Sequence, residues 1–253
     1  MKDNHLKRIF EQGGVGYGVW AALGSGVTIE VAGRLGYDWV LVDFEHGQWG
    51  PQDALGALRA TAGYKTTSIV RAPGVDGFAF FKHILDRGAE GVLLPLVRDA
   101  EEVRRAVSAC RYPPQGTRGI ASHRAHGYGL DGADYFARAN DEILIVAQVE
   151  TREALEDLDA IAEVPGLDAL FVGPVDLSAA LGAPIGQVSP ELEPAIERVL
   201  EVGKLKGKPV GLYCRSPEDA KRWIERGVSF VNLCNDTSLL VRGLRQSLEQ
   251  VRS

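Results

Sequence analysis

A strand–helix–strand unit in the second half of the chain constrains the fold more than any other segment. Residues 143–149 and 169–172 are short apolar runs bounded by turn residues, a pattern typical of buried strands, and apolar residues recur at helical spacing over 152–164. A crossover of this kind makes the two strands parallel and adjacent. Each run is followed by a carboxylate, Glu150 and Asp176. Both carboxylates therefore emerge at the same edge of one sheet.

The same alternation of apolar runs and helical periodicity continues along the whole chain. Strands are predicted at residues 17–22, 39–43, 67–71, 91–97, 143–149, 169–172, 209–213 and 230–233. Helices are predicted at residues 28–34, 51–61, 78–87, 101–109, 152–164, 190–206, 217–226 and 237–251. Eight such pairs without a linker predict a single-domain (β/α)8 TIM barrel over residues 1–253. A doubly wound open sheet is the alternative.

The connection over residues 111–140 is longer than the usual link between two elements. It is rich in glycine, arginine and histidine, and we expect it to be irregular. Its length suggests a functional loop over the barrel mouth, with residues 117–132 shaping one end of a pocket.

Composition excludes several kinds of partner. The formal net charge of −6 and the lack of any Lys/Arg-rich run argue against nucleic acid. No stretch approaches the roughly 20 apolar residues of a membrane helix, and the polar start lacks a signal-peptide core. Cys110, Cys214 and Cys234 show no metal-finger spacing and suit a reducing compartment. We expect a cytoplasmic protein that binds neither membrane nor nucleic acid.

In a barrel of this type, the chemistry lies at the C-terminal ends of the strands. Applied to the predicted strands, this rule selects a set of polar side chains after strands two, three, five and six. They are Asp43, Glu45, His46, Arg71, Gln148, Glu150 and Asp176.

Glu150 and Asp176 have two interpretations. Neighbouring carboxylates repel each other unless a proton or a cation lies between them, and ligation by oxygen alone favours Mg2+ or Mn2+. Alternatively, each carboxylate caps the helix that follows it. The residue pattern leaves both interpretations open.

His46 and Arg71 are candidates for proton transfer and for anion binding. Histidine suits proton transfer near neutral pH, with Asp43 orienting the imidazole or polarising a metal-bound water; the alternative is a structural histidine. Arg71 closes an apolar strand and can bind a carboxylate or a developing oxyanion. The alternative is a plain ion pair with Asp43 or Glu45.

Two absences narrow the chemistry. Lys65 and Lys208 precede strands, and no lysine is predicted at a strand C-terminus, so a Schiff base lacks its nucleophile. The turns after strands seven and eight lack the glycine-rich pattern of a barrel phosphate site, and no strand is followed by GxGxxG. A phosphorylated sugar substrate and a nucleotide cofactor are therefore not expected.

Six segments together resemble the HpcH/HpaI aldolase family, the metal-dependent class II pyruvate aldolases. In chain order they are VDFEHG, SIVRAP, LDRGAEGVLLPLV, RYPPQGTRG, QVETREAL and GPVDLSAALG. The resemblance implies a (β/α)8 barrel that forms a homohexamer, a trimer of dimers, with the last helix exchanged between paired subunits.

The resemblance also implies roles for individual residues. Glu150 and Asp176 would hold a divalent cation (Mg2+, Mn2+ or Co2+), and His46 would act as acid and base with Asp43 nearby. Arg71 would contact the keto oxygen and stabilise the enolate. Gln148 would lie beside the metal, and a turn would bind the substrate carboxylate through its backbone amides. That turn consists of Gly173, Pro174, Val175 and Asp176.

Two features that the family resemblance implies match this sequence less closely. Asp86 matches a family aspartate that reaches a histidine of a neighbouring subunit, but its spacing from Arg71 is one residue longer than in some members. Phe44, Gly47 and Gln48 depart from the commoner form of the histidine motif. We expect these departures on the pocket wall, where they affect the identity of the substrate.

The implied activity is that of a lyase in aromatic or sugar acid catabolism. It would cleave a 4-hydroxy-2-keto acid reversibly to an aldehyde and pyruvate, or a related keto acid such as hydroxypyruvate. A citramalyl- or malyl-CoA-type lyase, or a decarboxylase, using the same enolate is one alternative. A catalytically silent barrel that binds a keto acid is another.

Overall fold

Eight parallel strands form a closed barrel in which each strand pairs with its neighbours in chain order. The computed structural model describes residues 1–252. The strands are β1 (Gly16–Ala21), β2 (Trp39–Asp43), β3 (Thr67–Arg71), β4 (Gly91–Leu94), β5 (Leu144–Val149), β6 (Ala169–Val172), β7 (Val210–Tyr213) and β8 (Phe230–Asn235). The pairing of β1 with β8 closes the sheet. The predicted TIM barrel is thus confirmed, and the open-sheet alternative is wrong.

Twelve α-helices lie among the described residues. They are α1 (His5–Glu11), α2 (Gly26–Leu35), α3 (Ala54–Ala60), α4 (Phe78–Asp86), α5 (Ala100–Cys110), α6 (Gly132–Glu142), α7 (Arg152–Glu156), α8 (Leu158–Ala162), α9 (Pro174–Ala180), α10 (Leu192–Lys206), α11 (Pro217–Glu225) and α12 (Asp236–Arg252). No helix within residues 1–252 is long and apolar enough to span a membrane.

The helices differ from the prediction in three places. The helix predicted over 152–164 is two short helices, because Asp157 leaves helical geometry and accepts a hydrogen bond from the Ala100 amide (2.7 Å). The segment predicted as irregular contains α6, which buries Tyr135 and Ala139. The unpredicted α1 places Leu6, Ile9 and Phe10 at helical spacing against the barrel core, but with seven residues it is too short for the pattern to stand out.

Aromatic rings fill the barrel interior. Trp39 and Phe171 pack edge to face with centroids 6.3 Å apart. Glycines make room for the rings: a Cβ on Gly18 would lie 2.0 Å from the Trp39 ring, and one on Gly211 would lie 2.4 Å from Phe171. Leu6 of α1, fully buried, packs into the same cluster. The interior is therefore a packed core, and any cavity must lie above it.

The segment between α5 and α6 lies at the N-terminal rim of the barrel. Arg111 donates hydrogen bonds to the carbonyls of Ile143 and Gly166, which precede β5 and β6 (both 2.8 Å). A connection from a helix to the next strand must return to the rim where strands begin. The expected position of residues 117–132 over the mouth is therefore wrong.

Candidate active site

A cavity of about 280 Å³ opens at the C-terminal end of the barrel. Its lining residues come from seven of the eight strands or from the turns after them: Trp20, Ala22, Asp43, His46, Arg71, Gln148, Phe171, Gly173, Pro174, Val175, Asp176, Tyr213 and Asn235. The strand-end rule thus brings most of the predicted polar residues into one cavity. Glu150 is buried beside the cavity and Glu45 is partly buried; burial raises the pKa of each carboxyl group, and the nearby Asp176 charge contributes in the same direction.

Arg71 is held by two carboxylates. It lies opposite Asp43 in the β2–β3 register, and its Nε and Nη2 donate to the two Asp43 oxygens (2.8 and 2.7 Å). Nη1 lies 2.8 Å from Glu45 Oε2 without hydrogen-bond alignment. Burial alone would raise the pKa of Asp43, but the Arg71 guanidinium holds that pKa below its usual range. The ion pair between Arg71 and Asp43, which was the alternative to anion binding, is therefore present, and it fixes the plane of the guanidinium.

Glu150 is a buried carboxylate with few partners. It accepts hydrogen bonds from the Leu96 amide (2.9 Å) and from Gln148 Nε2 (2.5 Å). Burial, together with the nearby charges of Asp176 and Glu45, raises the pKa of Glu150 to about 8. A carboxyl group in this setting gains from a cation more than an exposed one does.

Neither carboxylate caps a helix. Thr151 caps α7 by accepting from the Ala154 amide (3.0 Å), so Glu150 is free of that role. Asp176 lies within the first turn of α9, whose N-cap residue is Gly173. The capping alternative is wrong for both residues.

The donor set fits a hard divalent cation. Gln148 Oε1 is buried and has no hydrogen-bond partner within residues 1–252, although buried amide oxygens are normally satisfied. A Cβ on Gly173 would lie 2.2 Å from Glu150 Oε2, so any larger residue here would displace the carboxylate from its present position. Within the described chain, no three His, Cys, Asp or Glu side chains converge as a metal cluster. The two carboxylates would therefore share a cation with non-protein oxygens, as Mg2+ sites commonly do.

The turn after β6 offers two free backbone amides. Gly173 N donates to Val149 O (3.3 Å), and Pro174 has no N–H. Val175 and Asp176 supply first-turn amides of α9, which lack intrahelical partners. Of the four residues predicted to bind the substrate carboxylate through backbone amides, only Val175 and Asp176 therefore have a free N–H.

His46 is exposed at the edge of the cavity. About 70% of its side chain is accessible, and Nε2 lies 4.0 Å from Glu45 Oε1. Asp43 accepts from the His46 backbone amide (3.2 Å) and does not contact the imidazole. The imidazole is therefore oriented by its loop, and it lacks the hydrogen bonds of a structural histidine.

Two other predicted residues lie elsewhere. Asp86 is at the end of α4, where it pairs with Arg118 (2.8 Å) and His123 (3.0 Å), and it does not line the cavity. Phe44 packs against Phe80 in the outer core, with centroids 5.2 Å apart. The expected position of Phe44 on the pocket wall is therefore wrong.

Sequence reasoning missed the uncharged part of the lining. Trp20, Phe171, Tyr213 and Asn235 all lie at or near strand C-termini. They satisfy the rule that site residues lie at the C-terminal ends of the strands, but uncharged side chains do not stand out in a sequence as charged residues and glycine-rich turns do. Lys208, as predicted, lies at the opposite rim, where Nζ donates to Leu167 O (2.7 Å).

A closed (β/α)8 barrel with carboxylates at the C-terminal ends of its strands is typical of TIM-barrel enzymes. Comparison with known proteins identifies the family. Residues 16–243 match the model for the HpcH/HpaI aldolase/citrate lyase family. The chain belongs to this family, as the resemblance predicted, and it is a lyase. Aldolases of this family depend on a divalent metal ion.

Named relatives cover almost the whole chain. A 2-keto-3-deoxy-L-rhamnonate aldolase of Klebsiella pneumoniae is 38% identical over 99% of this chain and 94% of its own. A 4-hydroxy-2-oxo-heptane-1,7-dioate aldolase of Escherichia coli is 37% identical over 95% of this chain and 92% of its own. The crystal structure of a family member from Burkholderia cenocepacia superposes with a TM-score of 0.91 at 35% identity, covering 99% of this chain and all of that one.

Proposed function

We propose that this protein reversibly cleaves a 4-hydroxy-2-keto acid to an aldehyde and pyruvate, or a related keto acid such as hydroxypyruvate. The observation that carries the proposal is the buried Glu150 carboxylate beside Asp176 and the fixed guanidinium of Arg71, at the mouth of an aldolase-family barrel. The relatives named above act on substrates of this chemical class.

Glu150 and Asp176 would hold the divalent cation, which is Mg2+, Mn2+ or Co2+. When bound, such a cation polarises the keto oxygen as a Lewis acid. Gln148 Oε1, which has no partner among residues 1–252, would face the same region. The free amides of Val175 and Asp176 would bind the substrate carboxylate.

The other residues handle a proton and a developing charge. His46 would take the proton from the C4 hydroxyl as the C3–C4 bond breaks, giving the aldehyde carbonyl and the pyruvate enolate. Because Asp43 and Glu45 fix the Arg71 guanidinium, its remaining N–H groups would stabilise the enolate oxygen without reorganisation. Protonation at C3 then gives pyruvate.

Exchange of the pyruvate methyl protons in deuterated water, followed by proton NMR, tests this proposal. The Mn2+-free, Mg2+-loaded protein should exchange the methyl protons, and Glu150→Gln should not. Absence of exchange from the wild-type protein would support a silent keto-acid-binding barrel instead. Exchange without cleavage of any 4-hydroxy-2-keto acid would point to the CoA-lyase or decarboxylase alternatives.

We also propose a homo-oligomer, a trimer of dimers, in which α12 is exchanged between paired subunits. Leu240, Leu244 and Leu248 form a half-exposed apolar stripe along α12. Val27, Val31 and Leu35 form a second exposed stripe along α2 at the same spacing. Asp86 would act across a subunit boundary with a neighbouring histidine, since it lies away from His46 of its own chain.

A further inference from the structure

One wall of the cavity carries no charge. Trp20 lies near the end of β1, Ala22 follows that strand, Tyr213 ends β7, and Asn235 ends β8; we call these four residues the neutral wall. In the closed strand order, β1 and β8 lie across the barrel from β5, which carries Gln148 and leads into Glu150. Trp20 and Asn235 therefore face Glu150 across the cavity, whereas Tyr213 lies next to the turn that carries Asp176, because β7 pairs with β6.

The neutral wall would contact the aldehyde-derived part of the substrate. This step rests on the proposed function, in which the keto and carboxylate oxygens lie at Glu150, Asp176 and the turn of α9. A substrate anchored there and at Arg71 has its remaining carbons directed toward the opposite wall. The side chains of that wall then decide which aldehyde the enzyme accepts.

Two hydrogen-bonding groups on this wall have no protein partner. The Tyr213 hydroxyl makes no hydrogen bond within residues 1–252, while its ring packs edge-on against Trp20 with centroids 5.5 Å apart. Asn235 Oδ1 accepts from the amides of Thr237 (2.9 Å) and Ser238 (3.4 Å). This capping contact fixes the Asn235 amide, and its Nδ2 has no partner in the described chain.

The ring of Trp20 is equally fixed. Its Nε1 donates to Asp43 Oδ2 (3.1 Å), and the Arg71 guanidinium lies 4.8 Å from its ring centroid. The wall is therefore a preorganised surface of two rings with a hydroxyl and an amide donor beside them. The Tyr213 hydroxyl and the Asn235 amide can each donate a hydrogen bond to a hydroxyl oxygen of a substrate.

The same wall offers no positive charge to pair with an anionic tail. Arg71, the cavity's cation, is engaged by Asp43 and Glu45. Arg215 has no ion pair among the described residues, but it lines a separate cavity of about 380 Å³ beyond Tyr213 and Pro174. A carboxylate at the end of the substrate would meet neutral groups and nearby acids.

We infer that Tyr213 and Asn235 select a hydroxylated aldehyde. The preferred substrates are 4-hydroxy-2-keto acids that carry further hydroxyl groups, the 2-keto-3-deoxy sugar acids, over those that end in a carboxylate or an alkyl chain. A site built to hydrogen-bond a hydroxyl discriminates against the analogue that lacks it, because its polar groups are then left unpaired.

The test compares kcat/KM for pyruvate release from three substrates: a 2-keto-3-deoxy sugar acid, 4-hydroxy-2-oxoheptane-1,7-dioate and 4-hydroxy-2-oxoheptanoate. The sugar acid should be cleaved best. Tyr213→Phe removes only the hydroxyl, and Asn235→Asp keeps the capping oxygens while removing the amide donor. Each should lower kcat/KM for the sugar acid relative to the alkyl substrate by about 3- to 10-fold, the scale of one hydrogen bond.

Arg215→Ala is the matched control, and it should leave the order of the three substrates unchanged. Preference for the dioate, with a loss in Arg215→Ala, would overturn the inference and assign the neighbouring cavity to an anionic tail. Preference for the alkyl substrate, or equal losses on all three substrates in both wall variants, would overturn it as well. Methyl-proton exchange by the wild-type protein shows which of the two proposals has failed. Without exchange, the proposed function fails and the inference fails with it. Exchange with the wrong substrate preference refutes the inference alone.

Discussion

At the scale of single residues, the site depends on one arginine between two acids. Arg71 is buried and donates to both oxygens of Asp43, which also accepts from Trp20 and from the backbone of His46. The same contacts hold a cavity-lining guanidinium in place and neutralise a buried carboxylate. Under the proposed function, a change at Arg71 should therefore affect catalysis and folding through different partners.

Arg71→Ala should lower kcat by about 10²- to 10³-fold, the scale of losing one oxyanion donor. It should also lower the free energy of unfolding by about 3–5 kcal/mol, because Asp43 is left buried and unpaired. Steady-state kinetics and urea unfolding measure the two effects. In the double variant Asp43→Asn/Arg71→Met, stability should largely return and activity should not. Wild-type kcat in Arg71→Ala would remove Arg71 from the chemistry.

Charge decided which site residues could be predicted from the sequence. Asp43, Arg71 and Glu150 stood out because charged side chains at the ends of apolar strands are costly to bury and so point to a function or a partner. Tyr213 and Asn235 did not, since a neutral residue at a strand end is compatible with packing alone. The sequence leaves the Asp43–Arg71 ion pair as one of two interpretations of Arg71, and the β2–β3 register, which places the two residues opposite each other, decides that it forms.

At the scale of elements, α1 is a short helix that packs into the barrel interior but is too short to be predicted from the apolar pattern. Its one fully buried side chain, Leu6, packs into the barrel interior. Polar contacts attach the helix to α6: Glu142 accepts from the Asn4 amide (2.8 Å) and from Arg8 Nη2 (2.7 Å). Both contacts join residues more than 130 positions apart, so no local rule predicts them. The eight strands, by contrast, follow directly from local apolar runs.

Glu142 should make the attachment of α1 sensitive to pH. Burial alone would raise its pKa, but hydrogen bonds from Asn4 and Arg8 hold the pKa below the ordinary value of 4.5. A lowered folded-state pKa contributes stability that is present above about pH 4.5 and is lost as the pH falls through the folded-state value. Glu142→Gln should therefore cost about 1–3 kcal/mol at pH 7, and the difference from wild type should shrink in acid.

Urea unfolding at several pH values between 7 and 3 measures this difference. Glu11→Gln is the control, because Glu11 also pairs with Arg8 but lies exposed. It should change stability by less than about 1 kcal/mol. A Glu142→Gln penalty that stays constant down to pH 3 would contradict the account.

At the scale of the whole molecule, the apolar stripes on α12 and α2 leave surface that a monomer would expose to water. Burying such stripes between copies would stabilise an assembly through the apolar area removed from solvent. Leu244→Asp with Leu248→Asp should shift the protein to smaller species in light scattering coupled to size exclusion. Leu205→Asp, on an exposed position of α10, is the matched control and should not. A monomeric wild-type protein would contradict the proposed assembly.

Metal-dependent cleavage at Glu150 and Asp176 is tested by the effect of metal removal on pyruvate release. Pyruvate release from 4-hydroxy-2-keto acids should be followed in untreated protein, after EDTA treatment, and after adding back Mg2+, Mn2+ or Co2+. We expect EDTA to stop release, metal to restore it, and Glu150→Gln and Asp176→Asn to show neither bound metal nor release. Release that persists in EDTA-treated, metal-free protein would contradict the assignment of these two carboxylates.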